Sequence, residues 1–395
     1  GARALCVSAV LPFICARQVG PMSEPYTRAA KGGLHSNRRD WCALMLVNRA
    51  RLVMWFIWDV ILALLAPLRT LTGSPGNSTI TLDNGTRVRY RTAPIAEGGF
   101  SFVYRATDTS TGEQYALKKV LCQVDEQREL AVSEMRSHRE FSHPNLMPLK
   151  DWAFVRVPQG EAAFLLFPFM DRSLRDVIDT RLLGGGPPLG EVEALVIFAG
   201  VCRGVQALHK HTPPWAHSRD GTPVLMDFGS VAAAERRVRG RTEALAAQDE
   251  AAVHSTMPYR APELFDVASD ACLDQRTDVW SLGCLLYALR YGFSPFECEF
   301  VGGGPGAGGV RVVECSFLRV IGQVAFPPSG VDGGQRRGGG GGEAASPGFR
   351  ELVMFALQQD PLKRPFVGQV LERTLALAGV ERRPDHVSID MTRAG

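Results

Sequence analysis

The apolar positions of this chain fall into several unlike patterns, and each predicts a different element. Leu52 to Leu68 is apolar throughout except for Asp59, and Arg49, Arg51 and Arg69 flank it. Residues 71–87 are rich in turn formers, with Asp83-Asn84-Gly85 between two short β-type runs. That pattern predicts a hairpin and the entry to a sheet. From residue 93 two alternating runs flank Gly98-Gly99, and a second hairpin turns at Thr111-Gly112. The period then becomes helical from Gln127 to Phe141, while Phe164 to Phe167 reads as a core strand. Ala194 to His211 predicts a long apolar helix, and Val310 to Phe326 is apolar enough for another packed helix. Residues 383–395 are polar and predict a disordered tail.

The run at 52–68 has 17 residues, the lower limit for crossing a bilayer, and a central Asp costs about 3 kcal/mol there. Trp55 and Trp58 suit a membrane interface, so residues 51–70 read best as a monotopic or re-entrant anchor. A buried helix packed on the following domain, or mistranslated upstream sequence, are the competing readings. Residues 1–50 form an extension with no clear period. Loss of an initiator Met would leave Gly1 open to myristoylation and Cys6 to palmitoylation, but Leu5 stands where that motif wants Ser or Thr.

Composition narrows the class. With 395 residues, 45% apolar and 22% charged, the chain is neither wholly disordered nor a polytopic membrane protein. The 44 Lys and Arg against 41 Asp and Glu are too balanced for a dedicated nucleic-acid binder, so no nucleic-acid partner is expected. Nine cysteines form no CxxC pair, which argues against a disulfide framework or zinc site and for small core residues in a reducing cytoplasm. Two glycine tracts, 302–309 and 333–348, predict mobile surface loops; Arg336-Arg337 in the second is read as part of a plain insertion. Nothing in the pattern specifies an oligomeric state.

The candidate chemistry begins at the first glycine hairpin. Small residues at Ala96, Gly98 and Ser101 let backbone N–H groups approach an anion. Ala96 and Ser101 depart from GxGxxG, so alone the hairpin reads as an ordinary one. Further along stand Val103, Ala116-Leu117-Lys118 at the end of the next predicted strand, and Glu134 in the following helix. Then come Asp227-Phe228-Gly229, Ala261-Pro262-Glu263, Asp278 to Gly283, Asp360-Pro361 and Arg364-Pro365. In this order the set resembles the eukaryotic protein kinase domain, over about residues 88–380. The stretches EGGFSFVY, YALKK, PVLMDFGS, PYRAPELF and RTDVWSLGCLLYAL are similar to the Numb-associated kinase family, and most to its lipid-anchored Golgi serine/threonine branch.

The resemblance implies an α+β, two-lobed fold: a five-stranded antiparallel small lobe with one helix, and a mainly helical large lobe. It implies ATP and Mg²⁺ as cofactors, a protein Ser/Thr substrate, and a place on the cytoplasmic face of a Golgi-type endomembrane or in the cytoplasm. By the same resemblance Lys118 would hold the α- and β-phosphates and pair with Glu134. Ala96, Gly98, Gly99, Ser101, Val103 and Ala116 would line the nucleotide. Phe167 looks like the gatekeeper, with Phe169 and Met170 in the hinge that bonds adenine. Asp227 would ligate Mg²⁺, and Thr256 matches the position beside the catalytic Asp, at the substrate's P+1 site. Glu263 and Arg364 are expected to form a buried structural ion pair, and Asp278 to cap amides beneath the catalytic loop. Part of the activation segment, Glu243 to Ala252, matches an extra helix of that branch. Arg236, Arg237, Arg239 and Arg241 are read as a solvated loop, with an acidic substrate as the rival.

One motif is missing. A working kinase carries HRDxKPxxN ahead of DFG, supplying the general base, a γ-phosphate lysine and a second metal ligand. Here only ten positions separate His217 from Asp227, about half of what the pattern needs. No asparagine follows Asn145, and the only lysines after Lys150 are Lys210 and Lys363. Asp220-Gly221 reads as a hairpin turn. The chain as written is therefore expected to be inactive or nearly so. An active kinase that lost an exon is the favoured explanation; a membrane-tethered pseudokinase that binds ATP as a scaffold is the alternative.

Overall fold

The computed structural model describes residues 5–7, 76–98, 100–170, 172–183, 189–210, 223–226, 228, 231–301, 309–327 and 345–379. The apolar run at 52–68, Gly99, Asp227, the His217–Ser218 junction, Gly302–Gly308, residues 333–344 and the tail lie outside them.

The small lobe is one antiparallel sheet. Its strands are β1 (Asn77–Thr81), β2 (Arg87–Arg91), β3 (Ala96–Glu97), β4 (Ser101–Asp108), β5 (Gln114–Cys122), β6 (Asp151–Val157) and β7 (Gly160–Pro168). They run β1-β2-β4-β5-β7-β6, with β3 paired to β4. The sheet thus has seven strands, where five were expected. The 71–87 stretch supplies β1 as a full strand upstream of residue 88, and the glycine hairpin closes with a short strand of its own. Gly85 (φ 89°) and Gly112 (φ 75°) make the two predicted turns, in a backbone region that only glycine enters cheaply.

Asp151 draws the β1–β2 turn onto the far strand. Its fully buried carboxylate accepts the amides of Asn84 (3.0 Å), Thr86 (3.2 Å) and Trp152 (2.8 Å), and Asp83 N–H donates to the Trp152 carbonyl (2.8 Å). A buried carboxylate needs such donors to offset its desolvation. The outer face of the sheet packs Tyr104, Leu117, Phe164 and Leu166 into one core. Helix α1 (Asp125–Glu140) lies against the other face.

The large lobe is mainly helical: α2 (Leu174–Leu183), α3 (Glu191–Lys210), α4 (Gly240–His254), α5 (Arg276–Tyr291), α6 (Phe317–Val320), α7 (Pro347–Ala356) and α8 (Val367–Leu377). Among the described residues α3 is the one helix long and apolar enough to cross a membrane, and most of it is buried in this lobe's core. Val310 to Phe326 is not the packed helix that its apolarity suggested. Gly309–Val312 is a strand paired to Cys298–Val301, and only the four residues of α6 are helical. Val310, Val312 and Val313 are β-branched, and a neighbouring strand edge was there to pair with them. The end of the second glycine tract is also ordered: Ser346 caps α7 by accepting the Phe349 amide (3.1 Å), and the Glu191 carboxylate accepts from Ser346 N–H and O–H.

Six described cysteines are free thiols, and five of them are buried. Burial pushes Cys298 and Cys315 up to about 11, so both stay protonated near neutrality.

Candidate active site

The site is built on the inner face of the small-lobe sheet. Residues directly opposite each other in an antiparallel ladder share a face. One such row is Ala96–Val103–Lys118–Leu165, and the next is Arg105–Ala116–Phe167. Ala96, Val103, Ala116, Lys118 and Phe167 therefore share one surface. Lys118 sits in mid-strand rather than at the strand's end, because β5 runs on to Cys122.

Lys118 Nζ donates to Glu134 Oε1 at 2.7 Å, with side-chain exposures of 19% and 7%. Glu134 comes from the inward face of α1, alongside Ala131, Met135 and His138. A pair this buried holds only with near-ideal geometry, so it ties the helix to the strand. At the hairpin, Gly98 N–H donates to the Ser101 carbonyl (2.7 Å), and a Cβ on Gly98 would come within 2.9 Å of Ser101 Oγ. The tip residue Phe100 is 59% exposed. Ser101 closes this hairpin two positions before Val103, on the face that carries Lys118.

Phe167 is buried against Met135, Met147 and Leu165. Pro168, Phe169 and Met170 follow as the edge that faces outward, with Met170 46% exposed.

His138 is a residue that sequence reasoning missed. Its ring stacks on Phe228 (centroids 4.2 Å, 22°) and tilts against Phe167 (4.8 Å, 55°). Its Nδ1 lies 2.9 Å from the Met147 carbonyl, which can only accept, so Nδ1 carries the proton. His138 thus joins the Lys118–Glu134 helix to the residue next to Asp227. The signal was there in the spacing, since 138 lies one turn beyond 134 on the same face.

Asp227 itself lies outside the described residues, but both flanks are placed. Leu225 N–H donates to the Asn145 carbonyl (2.8 Å), Met147 N–H to the Leu225 carbonyl (2.7 Å), and Asn145 Nδ2 to the Pro223 carbonyl (2.8 Å). Gly200 and Gly204 of α3 let this segment lie close: a Cβ on either would collide with Pro223 or Leu225. On the other side Phe228 is 1% exposed. Among the described residues no cluster of three His, Cys, Asp or Glu could hold a metal.

The stretch that holds the lysine–glutamate pair, the glycine hairpin and the segment reading DFG is similar to the protein kinase domain, which aligns with residues 91–375. The chain belongs to the protein kinase family. Serine/threonine-protein kinase 16 of Homo sapiens is 36% identical over 294 residues, covering 72% of this chain and 88% of that protein. Its counterpart in Rattus norvegicus is 35% identical over the same shares. Serine/threonine-protein kinase ppk13 of Schizosaccharomyces pombe is 28% identical, covering 75% of this chain and 92% of its own length. All three relatives are named as serine/threonine kinases, and this chain is a member of that kinase family.

The rest of the kinase domain can be read on this frame. Arg364 meets Glu263 in a two-pronged pair (2.7 and 3.0 Å), donates to the Gln358 and Arg276 carbonyls, and lies over Trp280. Asp278 Oδ2 is 2.8 Å from His209 Nε2, both buried, which ties α5 to the end of α3. The amides that Asp278 was expected to cap belong to residues outside the described ones.

Thr256 is half-buried and precedes the single turn Met257–Tyr259. The extra helix is longer than its sequence match, running Gly240–His254. Arg260 clasps its end, with Nε on Ser255 Oγ (2.8 Å) and Nη2 on the Ser255 carbonyl (3.0 Å); burial lowers this guanidinium's pKa.

Arg236 and Arg237 are solvated as expected, with side chains 39% and 76% exposed, but they stand on a strand rather than a loop. They lie in β8 (Glu235–Arg237), paired with β9 (Cys272–Asp274), where Arg236 bonds Glu250 (2.6 Å) and Arg237 bonds Glu235 (3.2 Å). That pairing leaves less free positive charge for an acidic substrate.

Proposed function

We propose that this chain carries the ATP·Mg²⁺ cleft of a Numb-associated-type serine/threonine kinase, and that its sequence as it stands lacks the loop needed for fast phosphoryl transfer to protein Ser/Thr. The observation that carries the nucleotide reading is the Lys118–Glu134 pair at 2.7 Å beneath the Gly98 hairpin. Bound ATP·Mg²⁺ would supply the transferable γ-phosphoryl group and a counter-charge for it. Lys118 would hold the α- and β-phosphates, with Glu134 keeping the ammonium aimed inward. Amides near Gly98 and Ser101 would cover the phosphates, and the hinge at Phe169 and Met170 would receive adenine. Asp227 is the one residue assigned to the metal.

The test is binding, which does not require the missing loop. The full chain should bind fluorescent N-methylanthraniloyl-ATP with Mg²⁺, and Lys118→Met should weaken that by about 10- to 100-fold, the loss of a charged hydrogen bond. Equal affinity in the variant would remove Lys118 from the site.

A second reading, a pseudokinase that acts as an ATP-binding scaffold, is favoured by the absence of any asparagine after Asn145. In both readings the apolar run at 52–68 would hold the domain at an endomembrane surface. The full chain should float with anionic liposomes, and a form without residues 52–68 should stay in the soluble fraction. Flotation of both would assign the membrane contact elsewhere.

A further inference from the structure

Arg105 is a cation on the inner face of the sheet that the nucleotide reading does not use. Arg105 lies two residues beyond Val103 on β4, directly opposite Ala116, so it continues the cleft's roof toward the hinge. Its guanidinium carbon stands 4.6 Å from the centre of the Phe169 ring. Arg105 Nε donates to Gln114 Oε1 (3.2 Å), and Gln114 Nε2 donates to Thr107 Oγ1 (2.9 Å), which holds the guanidinium plane from behind. Among the described residues Arg105 has no carboxylate partner. Its ordered contacts are thus one amide on its own sheet and one aromatic face on the hinge. Phe169 is half-buried, while the next residue, Met170, is exposed.

We infer that Arg105 is a positioning residue of the nucleotide cleft: stacked on Phe169, it clamps the hinge to the roof and so sets the edge that reads the adenine base. The inference rests on the nucleotide reading above. A guanidinium over an aromatic ring suits this task because the contact is planar and tolerates sliding. The two lobes can then adjust around a bound base without losing it. The clamp acts on the base end of the cleft and leaves the phosphate end to Lys118 and the Gly98 hairpin.

The experiment is a double-mutant cycle in the full chain, read by N-methylanthraniloyl-ATP binding with Mg²⁺. Arg105→Met keeps the stem and removes the charge; Phe169→Leu keeps the apolar bulk and removes the ring. Each single variant should weaken ATP by about 2- to 5-fold, the range of an exposed cation–π contact. The double variant should be no weaker than either single. Competition by GTP should change less than competition by ATP, so the preference for adenine should fall in all three variants. Melting temperatures check the fold, since a purely structural role would lower them and leave the ATP-to-GTP ratio untouched. Multiplying losses in the double variant, or an unchanged ratio, would overturn the clamp. If the unmodified chain binds no ATP, the nucleotide reading fails first and takes the clamp with it. If it binds and the variants match it, only the clamp fails.

Discussion

Incubated with ATP, Mg²⁺ and a protein substrate, the full chain is expected to transfer phosphate at no more than background rate. A family-type catalytic loop inserted between His217 and Ser218 is expected to raise that rate by about 10³-fold or more. The expectation is chemical. Only ten positions link His217 to Asp227, about half of what the family pattern needs, and no asparagine follows Asn145, so neither the base nor the second metal ligand is expected there. A general base alone contributes about 10²- to 10⁴-fold. An insertion of about ten residues carrying Arg-Asp, Lys and Asn at the family's spacing would supply both.

The described residues beyond that junction are held in place. The segment entering Asp227 is pinned by Asn145 and Met147, and Phe228 is locked against His138. Turnover of the unmodified chain at an ordinary kinase rate, about 1–100 s⁻¹, would refute the prediction. An inserted loop that stays silent would favour the pseudokinase reading. Sequencing the transcript across this junction then tells a lost exon from a genuine deletion.

Arg364→Met is expected to cause a large loss of stability, about 3–5 kcal/mol in urea unfolding. Arg364 is fully buried and bonds Glu263, Gln358 and Arg276 at once, with Trp280 beneath it. Removing it strands the Glu263 carboxylate, at 15% side-chain exposure, and two carbonyls without their donor. Most of the cost is this uncompensated burial, so the double variant Arg364→Met with Glu263→Leu should recover part of it. A single-variant loss under about 1 kcal/mol would mean that the pair only balances its own desolvation. Nucleotide affinity should change little in either variant, because the pair lies in the large lobe away from the sheet's inner face.

The two expectations differ in how they were legible. The pairing of Glu263 with Arg364 spans a hundred residues, and only the resemblance to a known family made it visible. The expectation of an incomplete catalytic loop needed no structure, since the absence of asparagine after Asn145 is a fact of the sequence. Short-range signals were read well: Asp83-Asn84-Gly85 and Thr111-Gly112 turn because glycine there takes positive φ. The helix expected over Gln127 to Phe141 runs Asp125–Glu140, and its buried face repeats with the helical period.

Val310 to Phe326 was misread because apolarity alone does not separate a strand from a buried helix; the edge of Cys298–Val301 made the choice. The sheet's two extra strands likewise depended on partners. Asn77–Thr81 became a strand by pairing with Arg87–Arg91, and the Asp151 carboxylate holds their turn.

What the residues determined alone was local: where the chain turns, which segments are apolar, and which chemical groups exist to be used. Lys118, Glu134 and the short spacing from His217 to Asp227 belong to that class. Tertiary structure decided which of those groups meet. It put His138 between Phe167 and Phe228, Arg105 over Phe169, and Arg236 against Glu250. The reason is physical: a turn or a helical period is an energy of neighbours in sequence, whereas a stack or an ion pair between remote residues depends on the register of every strand and helix between them.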